Sequence, residues 1–528
     1  MKTCEKCQNQ FTIPEDDKNF LQKFSVKIEG ATFAVPEPTL CPDCRQQRRL
    51  SFRNERALYH RKCDMSSKDI ISIYRQDSPY KVYSPQEWWS DKWNPLDFGR
   101  DFDFERPFFE QFAELKQSIP HLSLHVTNNE SSEYINLSGY NKHCHLIFAA
   151  EYNEDCLYGT QVIKSESCLD TLNCLESKYC YEVVDVQGCY QLLYSQDCKN
   201  CNESMFLYNC RNCSNCLFSS NLRNKQYYIF NQPYSKEQFL SKKAEIAKQL
   251  SEGKLDSLRE QFVKLKFNTI HKGLSMTNCE NSLGNFLSNC KNAQLCFDLA
   301  YGEDCRFVYT GYQVKDIMDV CHTTEMELSY EGMSVGYKSY NVLFANGAWS
   351  TNNALYVDNV HSCQNVFGCS NLRNGQYCIL NKQYAKPEYE KMVAKIIEHM
   401  QKTGEWGQYF PLEMSPFKYE DTVANEYFPH TEKETKYQGE IPPNSIICEI
   451  TGRPFNLVDA EKEFYKSMNL SIPKRHPDQR HKERLALRPA RKLVKKQCDK
   501  CSIEITTPFT AKDAQKVYCE KCYLQEVY

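Results

Sequence analysis

The sequence predicts a mainly β chain: tandem parallel β-helix (solenoid) repeats with capping helices, set between small cysteine-bearing modules at the two ends. Three observations predict it. Eleven cysteines, at 144, 156, 168, 174, 180, 189, 198, 201, 210, 213 and 216, are all separated by multiples of three. The stretch "CSNCLFSSNLRNKQYYIFNQPYSKEQF" (213 to 239) aligns without gaps on "CQNVFGCSNLRNGQYCILNKQYAKPEY" (363 to 389), an offset of 150 with 13 identities in 27 positions. Finally, C-x2-C pairs stand at 4/7, 41/44, 498/501 and 519/522.

A chain of 528 residues and 61.9 kDa has room for several domains, each burying its own core. The opening "MKTCEKCQNQF" lacks an apolar leader, and the longest apolar runs are too short to cross a bilayer, so a cytoplasmic protein with no membrane contact is expected. In a reducing compartment, 29 cysteines are better explained by metal ligation or burial than by disulfides. The net charge of -3 conceals an uneven layout. Residues 1 to 62 carry 12 Lys+Arg against 8 Asp+Glu, and residues 470 to 528 carry 14 against 7. Basic ends around an acidic middle suit a polyanionic partner, or the acidic middle itself.

Residues 1–62 read as a treble clef. Cys4 and Cys7 form one knuckle, Cys41 and Cys44 a second that opens a helix at Cys44, and four such thiolates satisfy a tetrahedral zinc ion. Phe11, Phe20, Phe24 and Phe33 supply a small core. The connector 63–120 is dense in rings, from Trp88, Trp89 and Trp93 to Phe108, Phe109 and Phe112. Such rings dock the module onto the next domain, or, if exposed beside Arg100 and Arg106, form a base-stacking platform.

The two repeat copies span 121–268 and 269–410, each with a terminal helix, the first opened by a capping-box pattern at Ser235 and Gln238. A period of three fits neither a helix nor a flat strand, but it fits stacked coils with Cys in an inner row. Larger recurrences near 18 (156/174 and 180/198/216) leave the coil length open. Asn or Asp precedes seven of the eleven cysteines, as a left-handed corner would favour.

After a linker at 411–446, residues 447–497 repeat the opening in decayed form: Cys448 stands for Cys4, Thr451 for Cys7, Phe455 for Phe11, and "HPDQRHKER" for "CPDCRQQRR". Only Cys448 and His476 remain as ligands, too few for a closed site, so a metal-free module is expected. "CDMSSKDIIS" is a further half-copy that leaves Cys63 alone. Residues 498–528 restore the full set with Cys498, Cys501, Cys519 and Cys522, giving two structural Zn2+ sites in all.

Closed four-thiolate sites leave no position for water or substrate. The surfaces they support are basic: Arg45, Arg48, Arg49, Arg53 and Arg56 at one end, and Lys474, Arg475, Arg480, Lys482 and Arg484 at the other. Such rows suit phosphate backbones, with intramolecular pairing as the alternative. His143, Cys144 and His145 lie together, but consecutive strand residues point apart. No P-loop, dinucleotide fingerprint, nucleophile elbow or HExxH motif is present. The expected protein is therefore a non-enzymatic zinc-binding scaffold associated with RNA or a ribonucleoprotein. A protein-interaction scaffold is the alternative, and a β-helix enzyme acting on a polymer the third reading.

The pattern Cys4, Cys7, Phe11, Phe20, Pro38, Cys41, Cys44, Arg45 resembles the treble-clef "probable zinc-ribbon" family. Along almost the full length, RNERALY, EWWSDKW, FDFERPFFEQF, NLRNKQY and CEITGRPF resemble a family of candidate-phyla bacterial proteins that joins such ribbons to a cysteine-rich repeat region. That resemblance implies architecture and no activity.

Overall fold

One local rule builds most of the molecule. From Asn128 to Phe230 every third residue has positive φ, near +50°, and the chain turns at each of them. The computed structural model, which describes residues 1–430 and 437–528, is accordingly mainly β with long sheets of sequential strands. The linker expected at 411–446 lies partly outside the described residues.

Each triplet has fixed roles. Glu154 pairs in parallel with Glu166, Asp155 takes φ 54°, and Cys156 points inward and is buried. Four triplets bring the chain back alongside itself: Leu169 pairs with Tyr181, and Asn202 with Ser214. The return is twelve residues, so the recurrence near 18 reflects which inner positions carry Cys and not the length of a turn. The expected corner role of Asn and Asp is seen directly. Asp155, Asn173, Asp197, Asn200, Asn209, Asn212 and Asn215 all have positive φ, and amides bond along the stack from Asn200 to Asn212 to Asn224. A left-handed corner costs an ordinary L residue roughly 1–2 kcal/mol, which short polar side chains offset by local bonding.

The inner row explains the cysteine periodicity. Cys144, Cys156, Cys168, Cys180, Cys198, Cys210 and Cys216 line one buried core with Ile147, Val162, Val183 and Leu207. Each thiol also serves as a weak donor: Cys156 Sγ lies 3.4 Å from Glu154 O and 3.5 Å from Ser165 O. Serine does the same at Ser177, whose hydroxyl donates to Leu175 O at 2.9 Å and accepts from Cys189 N. Small groups that fill space and satisfy inward carbonyls are what this interior requires.

The second copy follows the same rule with two slips in phase. Inward residues run from Leu287 to Val335, and then from Val342 to Cys378. The extra residue is absorbed at Tyr337 and Lys338, which both have positive φ. An earlier shift lies at Leu283/Gly284.

The chain divides into two compact units. Unit 1 comprises 1–124 and 275–430, so the amino-terminal modules group with the second repeat copy. Unit 2 comprises 125–274 and 431–528, so the carboxy-terminal modules group with the first. In unit 1 the aromatic connector serves this pairing. Trp88 is buried against His361 and Arg373, and Phe108 against Tyr356 and Phe367, so the rings dock onto copy two and not onto the copy that follows them in sequence. In unit 2, Tyr194, Phe206, Phe218 and Phe230 stack ring on ring, and helix Leu255–Asn268 covers them through Phe262. The capping box at Ser235 and Gln238 forms as expected, opening helix Lys236–Ser251. Among the described residues, no helix is long and apolar enough to cross a membrane.

Candidate metal centres and their grip on the repeats

In unit 1 the ligand atoms of Cys4, Cys7, Cys41 and Cys44 lie within 4.8 Å of one another. The first knuckle is closed by Cys4 N donating to Asn9 O and Gln8 N donating to Cys4 O, and Cys41 N donates to Cys4 Sγ at 3.3 Å. Cys41 caps helix Pro42–Leu50, whose first position is proline, so Cys44 sits in the first turn facing the knuckle. The helix thus starts two residues before the predicted Cys44. Burial pushes the Cys4 thiol up, but the N–H groups of Cys7, Cys41 and Lys6 outweigh it and bring it down to about 6.

Unit 2 holds the second cluster, Cys498, Cys501, Cys519 and Cys522, at the same spacing. Antiparallel strands Val494–Gln497 and Glu504–Thr507 present the first knuckle, and helix Glu520–Val527 the last ligand. Cys519 N donates to Cys498 Sγ at 3.2 Å, and the backbone brings Cys498 to about 6 against the opposing effect of burial. Four thiolates are soft donors in a set that fits a tetrahedral metal ion and leaves no open position.

Each intact cluster has a decayed counterpart in the other unit, with the knuckle geometry kept. Cys448 N donates to Arg453 O and Gly452 N to Cys448 O, as at Cys4, but the remaining ligand positions hold Thr451, His476 and Gln479. Cys63 N donates to Lys68 O, Ser67 N to Cys63 O, and Ser84 N to Cys63 Sγ, as at Cys498, but the other positions hold Ser66, Ser84 and Glu87. Among the described residues only the two intact clusters gather the ligand atoms for a metal.

The basic rows turn out to grip the repeats. Arg45 Nε reaches Asp319 at 2.9 Å, Arg49 reaches Glu331 at 2.7 Å and Asp319 at 3.2 Å, and Arg48 reaches Glu331 at 2.8 Å. Arg53 bonds Ser334 and Glu55. The side chains of Arg49 and Asp319 are 0% exposed. Burial alone would loosen the proton on Arg49, but Glu331 and Asp319 reverse this and hold it well above the ordinary guanidinium range. Unit 2 repeats the arrangement: Arg480 pairs with Asp170 and Glu461, Arg484 with Asp170 at 2.8 Å, and Arg488 with Asp185 at 2.9 Å. Arg45 and Arg49, like Arg480 and Arg484, stand four residues apart on one helix face and converge on one acidic corner, Asp319 in unit 1 and Asp170 in unit 2.

This corrects the expectation of a phosphate-facing surface. Arg45, Arg49, Arg53, Arg480 and Arg484 are buried, Arg48 is largely so, and Arg475 is held by Glu449, Glu483 and Asp256. Arg56 is half-buried, and only Lys474 and Lys482 of the ten are exposed. The physical reason is the acidic corners, whose buried carboxylates need charged partners more strongly than an open surface needs phosphate. Sequence reasoning missed Asp170, Asp185, Asp319 and Glu331; in the second copy the signal was present as two acids twelve residues apart, Asp319 and Glu331.

The recurring NLRN stretch, unexplained by sequence, is a second grip. Arg373 donates to the carbonyls of Trp88, Ser90 and Trp93, while Arg223 bonds the Tyr523 hydroxyl and lies over the Tyr528 ring. At "KHCH", Cys144 is buried in the inner row while His143 is exposed, so these residues diverge as expected.

No family model and no curated protein matches this chain. A solved structure assigned as an acetyltransferase from Desulfovibrio desulfuricans G20 matches at 9% identity with a TM-score of 0.12, over 53% of this chain and 82% of its own. At that score the likeness carries no argument.

Proposed function

We propose that the chain is a non-enzymatic zinc-binding scaffold: two four-sided β-solenoids, each gripped by treble-clef modules, that present a rigid surface to a protein partner. The observation that carries this reading is the arginine clamp. Both module helices spend their positive charge on solenoid carboxylates, Asp319 and Glu331 in one unit and Asp170 in the other, so the modules work as internal struts. Two closed four-thiolate sets favour structural Zn2+, which has no redox chemistry and accepts tetrahedral sulfur ligation. The solenoid sides away from the clamps carry exposed Tyr140, Tyr152, Tyr179 and Tyr190, with Tyr301, Tyr312, Tyr337 and Tyr340 in the second copy. Tyrosine offers contact area and a polar tip at low entropy cost, as binding surfaces favour. RNA association loses its main support once the arginines are committed.

The test is crosslinking in the native host, followed by identification of everything attached to the chain. The scaffold reading expects a protein partner retained at high salt and lost on Tyr152→Ala/Tyr301→Ala. Recovery of RNA whose affinity falls steeply with salt, and with charge reversal at Lys474 and Lys482, would instead restore the nucleic-acid reading.

A further inference from the structure

In both intact clusters the last metal ligand is followed directly by a residue that holds the module to the stack. Cys44 precedes Arg45, which pairs with Asp319. Cys522 precedes Tyr523, whose hydroxyl bonds Asn209, Asn221 and Arg223. A second shared feature concerns access. Cys7 and Cys501 are the exposed members of their clusters, and each lies close to the cysteine that caps the following helix: Cys7 Sγ to Cys41 Sγ is 3.7 Å, and Cys501 Sγ to Cys519 Sγ is 3.8 Å. The decayed modules carry Thr451 and Ser66 at this exposed position, so neither can undergo the same chemistry.

We propose that each intact centre is an oxidant-sensitive latch: a hydroperoxide couples Cys7 to Cys41, and Cys501 to Cys519, expelling the metal and freeing the residue that grips the stack. This rests on the zinc reading above. The Cys7 thiolate attacks one oxygen of the peroxide, the O–O bond breaks, and hydroxide leaves a sulfenic acid. The Cys41 thiolate then attacks that sulfur, the S–O bond breaks, and a second hydroxide leaves. Two thiolates supply the two electrons that reduce one peroxide, and Zn2+ departs because two remaining thiols cannot hold it. The interior cysteines are shielded from the oxidant by burial, Cys168 and Cys213 included, and at Cys156, Cys198 and Cys216 burial also pushes the thiols up. For Cys216, the neighbouring Cys213 thiol contributes even more to that rise.

The experiment treats the full metal-loaded chain with hydrogen peroxide and follows metal release, disulfides by mass mapping, and hydrogen exchange. The latch predicts release of both ions, the 7–41 and 501–519 disulfides, and exchange at 42–55 and 520–527 faster by tenfold or more, all reversed by a dithiol and zinc. Cys7→His keeps a tetrahedral ligand but cannot couple; that variant should retain its ion and its slow exchange under peroxide. Should it fail to load, chelation of the natural chain provides the second readout, raising exchange at 42–55 without a disulfide. Metal retained under peroxide, disulfides between other pairs, or metal lost with unchanged exchange would overturn the latch. A chain that holds no metal before treatment overturns the zinc reading itself.

Discussion

The two units share one plan and make opposite choices with it. Unit 1 keeps the cluster of the first module and has lost that of the second, which retains Cys63 alone. Unit 2 has lost the first, where Cys448 remains, and keeps the second. Their interiors differ as well: Cys210 and Cys216 of one copy stand where Val360 and Val366 stand in the other. The clamp does not change, since Arg45 and Arg49 meet Asp319 as Arg480 and Arg484 meet Asp170. Which module keeps the four thiolates, and which small side chain fills the row, are therefore interchangeable, whereas the buried ion pairs are not.

The sharpest way to break this comparison is to remove one carboxylate. Asp319→Ala leaves Arg45 buried without its carboxylate, and Arg49 with Glu331 alone, and should cost unit 1 about 3–5 kcal/mol; Asp170→Ala should do the same to unit 2. Chemical denaturation followed by a probe in each unit checks this. Equal losses in both support the shared plan, and a loss below about 1 kcal/mol in either breaks it.

Acid should weaken both units together. His121 and His271 are buried, each donating from Nε2 to a carbonyl, that of Lys116 or Lys266, which leaves Nδ1 of the neutral ring to accept from the hydroxyl of Tyr74 or Tyr208. Burial lowers both imidazoles to about 4 from 6.5. The unfolded chain therefore takes up protons below pH 6.5 that the folded one refuses. Stability is full above that pH and falls as pH drops toward 4, by up to about 3 kcal/mol per histidine. Urea midpoints at pH 7 and 4.5 measure the fall, and His121→Gln should flatten it.

Smaller changes address the repeats. Asn212→Ala puts an ordinary residue at a left-handed corner and cuts the amide ladder, for a loss of roughly 1–2 kcal/mol, while Asn212→Gly should cost less. Cys216→Val imitates the other copy and should cost under about 1.5 kcal/mol. Thermal melts of the three variants, ranked against one another, suffice.

Much of this was legible before the structure. The period of three, the corner Asn residues, the two cysteine sets and the decayed module all follow from spacing, because a stack repeats its local chemistry along the chain. What escaped is long-range. Nothing in "CRQQRRLSFR" announces that its partners lie near residues 319 and 331, since an arginine face meant for phosphate and one meant for buried carboxylates have the same composition. The coil length was obscured because inner positions alternate among Cys, Ser and Val, so cysteine spacing alone records only multiples of the triplet.

The claim that each unit rests on one intact thiolate centre is tested most directly by elemental analysis of the purified full chain. Two zinc ions per chain are predicted for the natural sequence, and one for the Cys4→Ser/Cys44→Ser variant, with the second returned to zero by adding Cys498→Ser/Cys522→Ser. Three or more ions in the natural chain, or two persisting after Cys4 and Cys44 are replaced, would contradict it.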